Sequence, residues 1–185
     1  MDFKLIELTD KPVFDQAFSR QYYENSWFTF TNLYVWRDNY STAWAIDDES
    51  LVVRLQAGGL TYYLPPFSPP DKSFAAAVNA VVAESRSRGD AFLMKGLSPA
   101  MRDEVLANNP DRFLIEPQRE YFDYLHAAND LRELAGRKYH AKRNFVHRFR
   151  ATHQDWSYNA LTNDCVEDCL QVAAVWCQER DCEAS

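Results

Sequence analysis

One short alternating run and three apolar-rich, strand-like runs predict strands in the first third of the chain. One strand is predicted at residues 4–7, and three more at residues 41–46, 51–56 and 60–64. The segments Asp47-Asp48-Glu49-Ser50 and Ala57-Gly58-Gly59 separate the last three runs, and such residues favour tight turns. This spacing predicts an antiparallel meander.

Apolar residues at helical spacing lie between and after these strands. The predicted helices cover residues 9–21, 27–38, 71–88 and 98–108. Pro12 lies near the start of the first helix, Gly89 ends the third and Ser98 caps the fourth. The second helix is rich in aromatic residues, which we interpret as core residues rather than as a stacking platform.

Further strands are predicted at residues 91–95, 112–116 and 121–126. The order of elements predicts an α/β fold in which residues 1–128 form one mixed sheet with helices on both faces. A basic linker helix is predicted at residues 129–152. It is followed by a strand-like run at 157–161 and by a helix that opens at Asn163. Residues 153–185 are therefore expected to begin a second, incomplete module.

Positive charge is concentrated in residues 137–150. This segment holds six of the 20 lysines and arginines and none of the 27 aspartates and glutamates, which leaves 14 basic residues against 27 acidic ones elsewhere. The six basic residues are Arg137, Lys138, Lys142, Arg143, Arg148 and Arg150. A basic block in an acidic chain indicates a surface that faces a polyanion, and a solvated helix face is the alternative.

The helical phase separates the six basic residues into two groups. Wound as one helix from Leu131, the segment places its arginines on the polar side and Lys138 and Lys142 near the middle of an apolar arc. The two lysines either extend to water along that apolar surface or line a polar cleft. In a cleft they would meet a phosphate or a carboxylate.

The cysteines and histidines predict no metal site. All four cysteines lie near the end of the chain, at Cys165, Cys169, Cys177 and Cys182. Their spacing fits no common zinc pattern, and His140 and His147 have no cysteine or carboxylate close in sequence. Cys165 and Cys169 share a helical face with Val172 and Trp176, so we interpret them as buried thiols. A metal site or a disulfide is the alternative.

The length and the apolar runs place the chain in a broad class. A chain of 185 residues suffices for one full domain, or for one domain and part of another. The first residues contain no run typical of a signal peptide, and no window approaches 18 uninterrupted apolar residues. We therefore expect a cytoplasmic protein without a transmembrane segment.

Three stretches resemble a known bacterial family. Residues 121–125 and 130–145 are similar to the signature of the phosphatidylglycerol lysyltransferase C-terminal-like family, and Leu33-Tyr34-Val35-Trp36-Arg37 resembles its N-terminal motif. The order of predicted elements is similar to that of GNAT-type acyltransferases. The resemblance implies two tandem GNAT-like modules joined by the basic helix.

The same resemblance implies transfer of an aminoacyl or acyl group, in one branch from aminoacyl-tRNA to a lipid headgroup. The implied acceptor site lies largely in the second module, so this segment alone is expected to be inactive and no catalytic residue is assigned. The expected partners are tRNA or another polyanion at the basic helix, the second module in cis, and a second copy through the C-terminal helix.

Coenzyme A is not expected as a cofactor. A coenzyme A site of this fold offers backbone N–H groups and a helix N-terminus to the pyrophosphate. Four of the six residues at 65–70 are prolines, which have no N–H group, and Asp71 adds a negative charge where the next helix is predicted to begin. The alternative function is a non-catalytic, degenerate GNAT-fold module that binds nucleic acid, a nucleotide or a protein partner.

Overall fold

A computed structural model describes residues 1–20, 23, 25–180 and 182 of the chain. The chain divides into two compact units, Met1–Tyr124 and Leu125–Ser185. In the part of the chain that is described, no helix is both long enough and apolar enough to cross a membrane.

The sheet of the first unit is an antiparallel meander, as predicted. Its strands pair in chain order and are β1 (Lys4–Leu5), β2 (Ala43–Asp47), β3 (Ser50–Ala57) and β4 (Leu60–Tyr63). Asp48 and Glu49 connect β2 to β3 with φ of 42° and 64°, and Gly58 and Gly59 connect β3 to β4 with φ of 58° and 76°. Two-residue turns with positive φ at both positions match the twist of the flanking strands.

The helices of the first unit are α1 (Lys11–Phe18), α2 (Phe30–Val35), α3 (Arg37–Tyr40), α4 (Phe74–Ser87) and α5 (Pro99–Asn108). The predicted end of the first helix at Gln21 lies outside the described residues. The helix predicted at 27–38 is two short helices that meet at Trp36. Helix α4 begins later than predicted because the Ser73 side chain caps it, accepting the Ala76 N–H at 3.2 Å.

Successive side chains of β3 point into two different cores. Leu51 and Val53 belong to a large core that includes Phe14 of α1. Val52, on the opposite face of the strand, packs with Val81 of α4. Helices therefore cover both faces of the sheet, as the sequence predicts.

The strands predicted beyond residue 64 are wrong. Residues 91–95 make one parallel bridge, in which Tyr63 N donates to Leu93 O and Lys95 N donates to Tyr63 O, both at 2.9 Å. Gly96, with φ of 92°, then turns the chain. Residues 112–116 and 121–126 are rich in apolar residues but pair with no strand among the described residues. The sheet is thus antiparallel with a single parallel bridge, rather than mixed.

The second unit contains α6 (Ala128–Glu133), α7 (His140–Thr152) and α8 (Val166–Arg180). The single helix predicted over 129–152 is wrong, because Leu134 and Gly136 adopt positive φ of 49° and 83° and end α6. A 3-10 turn, Arg137–Tyr139, then leads into α7. Residues 157–161 form no strand.

Candidate polyanion-binding surface

Arg143 holds the turn between α6 and α7. The last carbonyl groups of a helix have no partner within the helix, and a cation near them is stabilising. The guanidinium of Arg143 donates from Nη1 to the carbonyl of Leu134 and to that of Gly136, the second at 2.8 Å. The sequence predicted that Arg143 lies on an exposed helix face and contacts phosphate. The structure instead uses its donors inside the chain.

Lys138 forms an ion pair with Asp130 of α6. Its Nζ lies 2.9 Å from Asp130 Oδ2, and the Tyr139 hydroxyl donates to the same oxygen at 3.3 Å. The hydrogen bond from Lys138 holds the pKa of Asp130 below its ordinary value and raises that of the lysine. The Lys138 side chain is 68% exposed, so it does not lie along an apolar surface. The predicted apolar arc assumed one continuous helix. The break between α6 and α7 changes which residues share a helix face, so that arc no longer applies to Lys138.

The other four predicted basic residues are exposed. Among the described residues, no ion pair involves Arg137, Lys142, Arg148 or Arg150. The guanidinium of Arg148 lies 4.9 Å from the ring centroid of Phe145, and that of Arg150 lies 5.9 Å from the ring centroid of Trp156. A guanidinium beside a ring keeps its in-plane donors available for phosphate oxygens.

The four exposed cations are too widely spaced to bind one phosphate together. Arg148 and Arg150 lie about 160° apart around α7, and Lys142 and Arg150 lie about 12 Å apart along its axis. Lys142 is on the same side of the helix as the half-exposed rings of Phe145 and Phe149. Such a distribution suits separate phosphates of an extended polyanion. We call Arg137, Lys142, Arg148 and Arg150 the basic surface.

The cysteines differ from the prediction. Cys169 and Cys177 are exposed, while Cys165 and Cys182 are partly exposed. The interpretation of Cys165 and Cys169 as buried thiols is wrong, since Cys165 is partly exposed and Cys169 is exposed. Among the residues that the structure describes, no three His, Cys, Asp or Glu side chains are grouped so that they could hold a metal ion.

The proline run at residues 65–70 continues along β3 beyond the end of β4. Phe67 N donates to Leu51 O at 2.9 Å, and Leu51 N donates back to Phe67 O at 3.2 Å. Pro65 and Pro66 are fully buried. Asp71 lies before the first turn of the following helix, not within it, because Ser73 is the cap. One of the two N–H groups in the run is thus already used within the sheet.

We expect coenzyme A not to bind this chain, because the run offers too few free N–H groups to hold a pyrophosphate. Isothermal titration calorimetry with coenzyme A checks this expectation, and 3′-dephospho-coenzyme A is titrated in the same way for comparison. A saturable heat with a dissociation constant below about 100 μM would contradict it.

Sequence reasoning missed a cavity of about 230 Å³ in the first unit. Its lining includes Trp27, Trp36, Tyr40 and Thr42. The prediction that the aromatic residues of 27–38 are core residues holds for Phe30, but Trp36 is 51% exposed. The break between α2 and α3 at Trp36 redirects these rings, and helical periodicity across 27–38 contains no signal of that break.

Fold and surface together define an α/β protein with an antiparallel sheet and a separate helical unit that carries exposed positive charge. Residues 20–185 match the family described as phosphatidylglycerol lysyltransferase, C-terminal. The chain belongs to this family, which confirms the resemblance seen in the sequence.

One solved structure is similar over the whole chain. It is a conserved protein of unknown function from Bacteroides thetaiotaomicron, with 32% sequence identity and a TM-score of 0.83. The match covers 100% of this chain and 62% of that one, so this chain spans less than two thirds of its relative's length. No curated protein matches.

Proposed function

We propose that this chain is the N-terminal part of an acyltransferase of the aminoacyl-transfer type, with a GNAT-like fold. The observation that carries the proposal is the family match over residues 20–185. The alternative of a non-catalytic binding module is not favoured by that match. The donor in this proposal is an aminoacyl-tRNA, and the acceptor is an amine or a hydroxyl group.

The basic surface supports a tRNA donor. Its four side chains are exposed, form no ion pair with any described carboxylate and are spread over a length suited to several phosphates. In the proposal, these four side chains contact the tRNA backbone. Lys138 and Arg143 keep α6 and α7 connected, because their donors are held by Asp130 and by the turn carbonyls.

We further propose that residues 1–128 are one GNAT-like module, that 129–152 connect it to a second one, and that 153–185 begin that second module. The exposed apolar side chains of α8 support the last part, since Leu170, Val172 and Trp176 are each more than half exposed. Exposed apolar side chains of this kind favour packing against another segment or against a second copy of the chain.

Replacing the four residues of the basic surface with glutamine is expected to weaken tRNA binding strongly at low salt. Each lost phosphate contact removes close to one released counterion. The slope of log affinity against log salt is therefore expected to become shallower by about 3. Filter binding or fluorescence anisotropy with aminoacylated tRNA over a salt series measures the slope for both proteins.

A matched control removes four exposed charges from the first unit, at Lys11, Arg86, Arg102 and Arg119. This control is expected to leave the slope close to that of the wild type. An Arg143→Gln variant is expected to lower the helical signal of the α6–α7 segment more than it changes the slope. Absence of wild-type binding at low salt, or equal slopes for the wild type and the basic-surface variant, would refute the tRNA proposal.

A further inference from the structure

The cavity near Trp36 lies between the short helices α2 and α3 and the strand β3. Leu33 and Leu55 form its inner part, and Trp27, Trp36 and Tyr40 contribute aromatic rings. It lies beside the motif Leu33-Tyr34-Val35-Trp36-Arg37, whose role is not explained by the basic surface. All of these residues belong to the first unit.

The three rings are arranged at steep angles to one another. The Trp27 and Tyr40 centroids are 5.6 Å apart with planes inclined at 61°, and those of Trp36 and Tyr40 are 6.5 Å apart with planes inclined at 67°. Rings inclined in this way pack edge to face, and all three residues line the same cavity. Because an aromatic face carries negative partial charge, such an arrangement attracts a cation.

Other aromatic rings of the first unit already have a cation from the chain itself. Arg37 lies 4.2 Å from the ring centroid of Tyr34, and Lys95 lies 4.7 Å from that of Tyr62. By contrast, none of the described lysines or arginines lies over Trp27, Trp36 or Tyr40. These three rings are therefore available to a cation from outside the chain.

Thr42 adds an unsatisfied hydrogen-bonding group to the cavity lining. Its side chain is 1% exposed, and Oγ1 has no hydrogen-bond partner among the described residues. Its backbone is fully used, since Thr42 N donates to Arg37 O at 3.0 Å and Thr42 O accepts from Ile6 N at 3.1 Å. A buried hydroxyl without a partner is costly, and a polar group on a ligand would remove that cost.

The charge of the first unit also favours a cation over an anion. Residues 1–124 contain 12 lysines and arginines against 18 aspartates and glutamates. An excess of negative charge attracts cationic ligands and repels phosphates. A small metal ion is disfavoured, because aromatic and aliphatic walls cannot replace its hydration shell with oxygen ligands.

We propose that this cavity binds a small organic ammonium ion with a methylated nitrogen. The nitrogen lies among the rings of Trp27, Trp36 and Tyr40, where its weak hydration makes desolvation inexpensive. A hydroxyl group on the same ligand bonds to Thr42 Oγ1. The site is distinct from the basic surface and does not depend on the proposed transfer of an aminoacyl group.

Calorimetry with choline and with its neutral isostere 3,3-dimethylbutan-1-ol tests the proposal. The two ligands have the same shape and the same hydroxyl group, and they differ in the charge of the central atom. Choline is expected to bind at least about tenfold more tightly, because only choline gains the cation–π attraction. Equal affinities, or no heat from choline up to tens of millimolar, would overturn the proposal.

Two variants test the assignment of roles within the cavity. Trp36→Ala, at a half-exposed position, is expected to weaken choline binding about tenfold, whereas Trp156→Ala in the second unit leaves it unchanged. Thr42→Val is expected to weaken binding of choline but not of tetramethylammonium, which has no hydroxyl group. If both tryptophan variants bind choline as the wild type does, the cavity is not the site and the proposal fails.

A further arm distinguishes a free amine from a headgroup as the source of the ligand. Phosphocholine carries the same trimethylammonium group with a phosphate in place of the free hydroxyl. If choline binds more tightly than phosphocholine, a free alkylated amine is supported. The reverse order supports a phosphorylated headgroup, and in both cases the ammonium site stands.

Discussion

Replacing Phe67 with alanine is expected to lower the free energy of unfolding by about 3–5 kcal/mol. The ring is fully buried, and its centroid lies 4.7 Å from that of Phe18, 5.0 Å from that of Phe28 and 5.2 Å from that of Tyr23. Its backbone is bonded in both directions to Leu51. The neighbouring rings are fixed by this network and cannot collapse into the space. Urea denaturation followed by tryptophan fluorescence measures the change.

Phe122→Ala is the matched control, because it removes the same atoms from a ring that is 50% exposed. Its effect is expected to stay below about 1 kcal/mol. Similar midpoints for the two variants would mean that the proline run is not anchored in the core. The packing of the sheet face that carries Leu51 would then need a different explanation.

Local signals predicted the sheet between residues 41 and 64 correctly. The turn residues Asp48-Glu49 and Gly58-Gly59 adopt positive φ, and the run between them is rich in apolar and β-branched residues, so the ends of each strand are specified within a few residues. The start of α5 is specified in the same way by Ser98, whose side chain accepts the Met101 N–H at 3.3 Å. Such features depend only on neighbours in sequence.

Some runs predicted as strands do not form because they have no pairing partner among the described residues. Residues 112–116 contain three consecutive apolar residues, yet Leu114 is 87% exposed and no described strand lies beside it. A strand requires pairing with a distant segment, and the period of the side chains does not identify that segment. The sequence therefore shows that these residues are apolar, but it does not show whether they pair in a sheet.

The charge pattern identifies a basic segment but not the role of each cation in it. Five of the six basic residues at 137–150 are exposed, and four of these five form no ion pair among the described residues. The roles of Lys138 and Arg143 were not predictable from a continuous helix, because their partners, Asp130 and the Gly136 carbonyl, face them only after the turn at Gly136. A glycine just past an apolar helical run is a stop signal, and weighting it more heavily would have found the break.

Asp10→Ala is expected to lower the free energy of unfolding by about 2–4 kcal/mol. The buried Asp10 carboxylate accepts hydrogen bonds from Lys4 Nζ at 2.7 Å, from Glu7 N at 2.9 Å and from Trp44 Nε1 at 2.9 Å. These bonds connect β1, the start of α1 and β2. Removing the carboxylate leaves the Trp44 N–H buried without an acceptor. Asp15→Ala removes an exposed carboxylate from α1 and is expected to change stability by less than about 1 kcal/mol.

The pH dependence of this difference identifies the charge of Asp10 as the cause. Burial by itself raises the pKa of Asp10, but the hydrogen bonds from Lys4, Glu7 N and Trp44 outweigh it and lower the pKa below 3.8. The unfolded chain therefore binds the proton more readily than the folded chain, and the stabilisation is present above about pH 4 and lost as the pH falls toward the folded pKa. The difference in unfolding free energy between the wild type and Asp10→Asn, measured by urea denaturation, is expected to be largest near pH 7 and to shrink below about pH 4. A difference that stays constant from neutral to acidic pH would mean that the shape of the side chain, and not its charge, holds the three donors together.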